Sequence, residues 1–244
     1  MRNLLQNPCW SAKDLGHALP DSPHAVSVAL PRWQDVISYE EKDSQCLNSL
    51  RAIYPRFGLN PLVARVAEQA QKQLSLPEFS AWPFPNRNCA ESANQHCKNV
   101  NRKGKTTISE ILGFHCLMTD NKASPHAKAF WQHTGLGASS RQAAIALNKE
   151  LAPSENSAHK ARDSILQRLS KIYCCKKELI QLHPSGMAAF TTALKLIEEI
   201  NPGRPTLQLG FPYVDVLKLP QVIFNGSVLL LKSNPTDLAI ELDK

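Results

Sequence analysis

Ser185-Gly186-Met187-Ala188-Ala189 is the stretch on which the fold reading turns. A short apolar run, Leu179-Ile180-Gln181-Leu182, leads into it, and an amphipathic run from Phe190 to Ile200 leads out. The pattern predicts a strand over 179–183, a tight corner at Ser-Gly and a helix over 187–200. A chain turning this way leaves backbone N–H groups without intrahelical acceptors at the positive end of a helix, with a hydroxyl beside them. Such a corner holds a phosphate without a cationic side chain, although strand-glycine-helix corners also serve as plain turns. Ser185, Gly186 and Met187 are therefore candidate anion-binding residues.

Outward from this corner, the last third alternates in type. Apolar runs at 206–211 and 227–232 read as further strands, with a weaker helix near 213–219 between them. Alternation of this kind predicts α/β architecture with parallel strands joined by crossovers. Only about a dozen residues follow the third such strand, so the expectation is an incomplete, truncated sheet.

The earlier residues are less regular. Residues 1–30 are punctuated by proline and suit an arm laid over a surface. A helix is predicted over 39–53, broken at Tyr54-Pro55-Arg56-Phe57-Gly58, and a second over 61–74 with Leu62, Val63, Val66, Ala67 and Ala70 on one face. Proline and aromatics dominate 77–85, and 86–105 is polar with little periodicity. A strand is expected over 108–118, helices over 124–133, 141–150 and 161–173, and a linker over 151–159. The resulting division is an N-terminal arm with helices (1–74), an inserted segment (75–160) and the corner-bearing domain (161–244).

Bulk properties narrow the class. Hydrophobic residues make up 43% and charged residues 20%, ordinary for a soluble globular chain. No apolar run approaches the ~20 residues that cross a bilayer, and the N-terminus has no secretory apolar core, so the reading is cytoplasmic with no membrane partner. The net charge of +7 is spread out, with one denser patch from Lys98 to Lys105. No helix-turn-helix, zinc-finger or RNA-binding signature accompanies it, which argues against a nucleic-acid partner and for a solvated surface. A basic chain also suits anionic substrates and a phosphate-bearing cofactor. Seven cysteines form an odd count, and Cys89, His96, Cys97, His115 and Cys116 fit no paired zinc-ligand spacing, so no metal is expected.

Several motifs, taken in order, resemble the cystathionine γ-synthase family, and more narrowly its fungal type. His24-Ala25-Val26-Ser27-Val28-Ala29-Leu30-Pro31-Arg32-Trp33 followed by Tyr39-Glu40-Glu41 is similar to the opening of that subgroup. Tyr54-Pro55-Arg56 followed by Asn60-Pro61 looks like the family's Tyr-x-Arg…Asn-Pro element. Phe130-Trp131-Gln132-His133 to Ser139-Ser140-Arg141 resembles part of the fungal-type insertion, and Ser185 to Ala189 matches the phosphate corner. Gly210-Phe211-Pro212-Tyr213 stands where the family places an aromatic residue over the cofactor ring.

The resemblance implies an incomplete large domain of the type I pyridoxal-phosphate-dependent transferase fold, a mostly parallel sheet with flanking helices, plus the N-terminal arm and the inserted segment. It implies pyridoxal 5'-phosphate as cofactor, with O-acyl-homoserine (succinyl or acetyl) and cysteine as substrates for γ-replacement to cystathionine. Tyr54 and Arg56 would reach the phosphate of a neighbouring subunit, which requires a homodimer or homotetramer; a planar guanidinium suits that contact. Tyr213 would lie against the ring by offset stacking.

The chain departs from the family at the lysine that holds the cofactor covalently and the carboxylate facing the ring nitrogen. Both belong well downstream of the corner. Lys218, Lys232 and Lys244 stand in no matching motif, and Ser233-Asn234-Pro235 comes too early for the family's later Ser-Asn-Pro segment. No catalytic residue is assigned, and the chain alone is expected to be inactive. A cystathionine lyase or homoserine sulfhydrylase of the same family remains an alternative, as does a non-catalytic interaction protein with a degenerate cofactor domain.

Overall fold

In a computed structural model, residues 2–53, 57–232 and 234–242 are described. Tyr54 and Arg56, two of the expected site residues, lie outside them. Two units separate in the chain, one from 1–128 with 137–150 and one from 129–136 with 151–244.

The first unit begins with an antiparallel pair, β1 (Ala18–Leu19) and β2 (Ser27–Val28), and two short helices, α1 (Trp33–Glu40) and α2 (Ser44–Ser49). The single helix expected over 39–53 is thus two helices starting earlier. Lys42 takes a left-handed φ of 60°, which ends the first, and Asp43 starts the second by accepting from Cys46 N at 2.8 Å. The arm is anchored to its own unit. Gly16, at φ +76°, lies so near Ser49 that a Cβ would stand 2.2 Å from its carbonyl oxygen, and His24 bridges Ser140 Oγ (3.0 Å) and Glu150 Oε1 (2.5 Å).

Asn60 caps α3 (Pro61–Gln73), accepting from Leu62 N at 2.9 Å, with Pro61 favourably at the first helical position. Beyond it come β3 (Ser80–Phe84), α4 (Arg87–Val100), the hairpin β4 (Thr106–Ile111) and β5 (Phe114–Thr119), then α5 (Ser124–Thr134) and α6 (Ser140–Ala146). The three strands form an antiparallel sheet in the order β3-β5-β4. Leu62, Val63, Val66, Ala67 and Ala70 of α3 pack with Ala143 and Ala144 of α6 on Phe114, Cys116 and Met118 of β5. The alternate residues Leu117 and Thr119 are also buried, with α4 against the sheet through Ala90, Ala93 and Cys97. Trp82 donates from Nε1 to Thr119 Oγ1 at 3.1 Å.

Three features of this unit differ from the sequence reading. The proline-rich 77–85 contains a strand, tolerated because β3 is at the sheet edge, where Pro83 costs least. The polar 86–105 contains α4, whose buried stripe consists of small side chains that carry little periodic signal; Asn86 caps it through Cys89 N. The single strand expected over 108–118 is a hairpin, turned at Leu112 and Gly113 with φ of 53° and 77°.

The second unit holds α7 (Glu155–Tyr173), α8 (Gly186–Ile200), β6 (Thr206–Leu209), α9 (Val214–Ile223), β7 (Ser227–Leu230) and α10 (Pro235–Leu242). β6 and β7 pair in parallel, Thr206 opposite Ser227, with α9 as the crossover. The α/β class therefore holds, and the parallel arrangement holds for this pair, whereas the larger sheet is antiparallel. The expected strand over 179–183 is replaced by a 3-10 turn (Lys177–Leu179) and extended chain, because among the described residues no strand lies alongside to complete a ladder. The expected linker over 151–159 is helical from Glu155, where Ser154 accepts from Ser157 N at 3.2 Å.

Among the described residues no helix is long and apolar enough to cross a membrane. All seven cysteines are free thiols. Burial pushes Cys97 up to about 11 and Cys116 up to about 12, and their exposures are 1% and 0%. Alkylation of the native protein near pH 8 should label exposed Cys174 and leave these two untouched until the protein unfolds, as peptide mass mapping would show. Early labelling of Cys97 or Cys116 would contradict this packing.

Candidate functional site

The first turn of α8 contains the three residues expected to hold an anion, Ser185, Gly186 and Met187. Ser185 is the N-cap in extended conformation (φ −153°, ψ 162°), and its Oγ accepts from Ala188 N at 3.1 Å. Ala189 N donates to Ser185 O at 3.1 Å, so the intrahelical bonds begin there. The N–H groups of Gly186 and Met187, the first two helical positions, have no acceptor among the described residues. A Cβ built on Gly186 meets nothing within 4 Å, so that side of the turn is open, whereas Gly135 packs closely against Ser185 and Ala188. The Ser185 hydroxyl caps the helix as an acceptor, and its other contact is a long donation to Gly135 O at 3.5 Å. Ser185→Ala should cost about 1 kcal/mol of stability through the lost cap, measured by denaturant midpoint; no change would show that the cap carries no energy here.

A turn that the sequence reading missed supports this corner. Gly135 follows the last residue of α5 with φ +66°, a common glycine position at a helix end. A Cβ there would stand 2.6 Å from Ser185 Oγ and 2.9 Å from both Met187 Cβ and Ala188 N. Its neighbour Thr134 accepts at its carbonyl from Thr191 Oγ1 at 2.9 Å, one turn along α8, and this contact is buried. The next residue back, His133, faces Asp215 with Nδ1 and Oδ1 3.1 Å apart, both side chains buried. Asp215 lies two residues beyond Tyr213, the N-cap of α9. Three consecutive residues, His133 to Gly135, therefore tie down the starts of both α8 and α9.

Tyr213 is half exposed, at 50%. Gln208 Nε2 donates to Val216 O at 3.0 Å, which fixes the loop carrying Tyr213 between β6 and α9. On the other side of the corner, a cleft of about 540 Å³ runs up to Pro184, lined by His159, Arg162, His183 and Glu155 among others. Two imidazoles and a guanidinium thus flank the segment that leads into the free amides. The signal that marks Gly135 in the sequence is a glycine directly after a helical run. Nothing in the linear pattern links Thr134 with Thr191 or His133 with Asp215.

Residues 62–139 match the family described as the fungal trans-sulfuration enzyme N-terminal domain. The chain is 29% identical over 159 residues to a putative cystathionine γ-synthase of Saccharomyces cerevisiae, covering 57% of this chain and 24% of that relative. A cystathionine γ-synthase of the same yeast is 29% identical over 158 residues, with the same shares of 57% and 24%. An L-2-amino-4-chloropent-4-enoate dechlorinase/desaturase of Streptantibioticus cattleyicolor is 27% identical over 236 residues, covering 91% of this chain and 46% of that protein. The chain thus spans between a quarter and a half of the length of these relatives. No solved structure matches it.

Proposed function

We propose, from the premise that this chain is a relative of the cystathionine γ-synthases and carries the N-terminal domain of the fungal trans-sulfuration enzymes, that it forms the phosphate-holding part of a pyridoxal-phosphate enzyme acting on an O-acyl-homoserine. The observation that carries the reading is the pair of amides at Gly186 and Met187, which have no acceptor among the described residues, at a helix N-terminus. Both amides and the helix dipole favour a dianionic phosphate there. Tyr213 stacks on the ring, and Tyr54 with Arg56 serve a neighbouring copy's phosphate, so the working unit is a homodimer or homotetramer.

When bound, the cofactor supplies an electron sink for carbanion character at the substrate α-carbon. The residues of this chain bind and orient it. Gly135 holds the cradle amides in place, and the His133–Asp215 pair holds the start of the helix on which Tyr213 stands. No lysine of this chain is in the family's cofactor-linking motif, so the chain alone holds the cofactor without a covalent bond and does not turn over substrate. For the whole protein the reading is γ-replacement by cysteine to give cystathionine. A lyase or sulfhydrylase would share the same cradle, because these enzymes differ in the leaving group and nucleophile their pockets admit.

The test is titration of the purified chain with pyridoxal phosphate and with pyridoxal. Saturable binding that requires the phosphate is expected, with no single lysine labelled after borohydride reduction. Equal affinity for pyridoxal would remove the phosphate site, and stoichiometric labelling of one lysine would overturn the non-covalent reading.

A further inference from the structure

The densest basic patch of the sequence has no part in the cofactor site, and in the structure it forms a concavity in the first unit. A cleft of about 630 Å³ is lined by Lys98 and Asn99 from the last turns of α4, Gln95 one turn earlier, Arg102 in the connection, and Lys105 and Thr106 at the start of β4. None of the three cations has a carboxylate partner among the described residues. Between Glu91 and Glu110 the sequence has no acidic residue. Glu91 is engaged with Arg87 at 2.6 Å, and Asp120 turns its carboxylate to the N–H groups of Lys122 and Ala123 at 3.1 and 2.9 Å.

The cations stand on a rigid frame. Asn101 caps the end of α4, donates from Nδ2 to Lys122 O at 3.2 Å, and accepts from Lys103 N at 3.1 Å. Gly104 lies so close to Ala123 that a Cβ would meet the alanine Cβ at 2.8 Å, and Asp120 N donates to Lys105 O at 3.1 Å. Such bracing fixes the backbone positions from which the exposed side chains of Lys98, Arg102 and Lys105 border the cleft. The carbonyl end of α4 places roughly half a negative charge here, far less than the three positive charges around it. Like charges held together without counter-charges raise the free energy of the empty cleft, and a multivalent anion relieves it. The volume suits a small ligand, and neither an aromatic residue nor an extended basic stripe is present to favour a nucleic-acid strand.

We infer that this cleft binds a small polyphosphorylated anion, at a site separate from the Ser185 corner. Recognition is by charge at Lys98, Arg102 and Lys105, beside an amide pair in which Gln95 Nε2 donates to Asn99 Oδ1 at 2.7 Å.

Calorimetric titration of the full chain at low salt with pyrophosphate, tripolyphosphate and ATP tests it. Pyrophosphate should saturate a site that weakens with added salt and that binds it about tenfold or more weakly in the K98Q/R102Q/K105Q variant. All three side chains are exposed, so the variant should keep the wild-type circular dichroism and melting profile. The Gly135→Val variant should retain wild-type pyrophosphate affinity, which separates this site from the cofactor corner. Tighter ATP than tripolyphosphate would assign a contact to the organic moiety, and equal affinities would assign recognition to phosphate charge; both support the site. Unchanged affinity in the triple variant, loss of pyrophosphate binding in Gly135→Val, or absence of saturation at millimolar pyrophosphate would overturn it. So would binding of a short RNA that depends on these three residues and that pyrophosphate fails to displace.

Discussion

Replacing Gly135 by valine should weaken the binding of pyridoxal phosphate by about tenfold or more and lower the stability of the second unit by about 3 kcal/mol. Two effects add. An L-residue held at φ +66° costs about 1–2 kcal/mol. The new Cβ would also lie 2.6 Å from Ser185 Oγ and 2.9 Å from Ala188 N, closer than packed atoms tolerate. One of these contacts is with the backbone of the first turn of α8, so relief requires the turn itself to move, and overpacking of this kind costs about 1–3 kcal/mol more. Because the cradle depends on two amides pointing together, a shift of that turn should weaken phosphate binding by about tenfold or more. Asparagine accepts the left-handed conformation but still carries a Cβ, and so separates the causes. Equal loss in Gly135→Asn and Gly135→Val would assign the effect to contact, and a mild asparagine phenotype would assign it to conformation. Wild-type pyridoxal-phosphate affinity in the valine variant would exclude the corner as the phosphate site.

Asp215→Ala should destabilise the second unit by about 3–4 kcal/mol, seen as a fall in melting temperature on the order of 10 °C or more. Its carboxylate is buried against His133 Nδ1 at 3.1 Å, and removing one partner leaves the imidazole with an unmet polar atom in a closed environment. The carboxylate also lies in the first turn of α9, where it complements the positive helix end. Asp215→Asn keeps the shape and one acceptor oxygen, so its loss should be about half or less. A double-mutant cycle with His133→Ala isolates the pair, since the second change should cost little once the first is made. Additive losses would show that the two residues act separately. A melting temperature within about a degree of wild type in Asp215→Ala would show that the pair contributes nothing to holding α9.

Much of this chain was legible where local chemistry and periodicity agreed. The α3 face of Leu62, Val63, Val66, Ala67 and Ala70 was readable because large side chains recur at helical spacing, and all five are buried. The parallel pairing of β6 with β7 followed from apolar runs separated by a helical one. Reading failed where burial is carried by small residues, as in α4, where a proline occupies an edge strand, as in β3, and where a strand needs a partner, as at 179–183.

The order of residues alone determined that Ser185 starts a helix, with a cap and a glycine that leave two amides free, because those preferences act within four residues of chain. Tertiary structure alone decided that Gly135, 50 residues earlier, lies beneath that turn, and that His133 meets Asp215 across 82 residues. Contacts at such separations arise from packing, which no local pattern records. The same holds for Lys98, Arg102 and Lys105: a basic run in the sequence, gathered around one cleft by a helix end, a braced turn and a strand start.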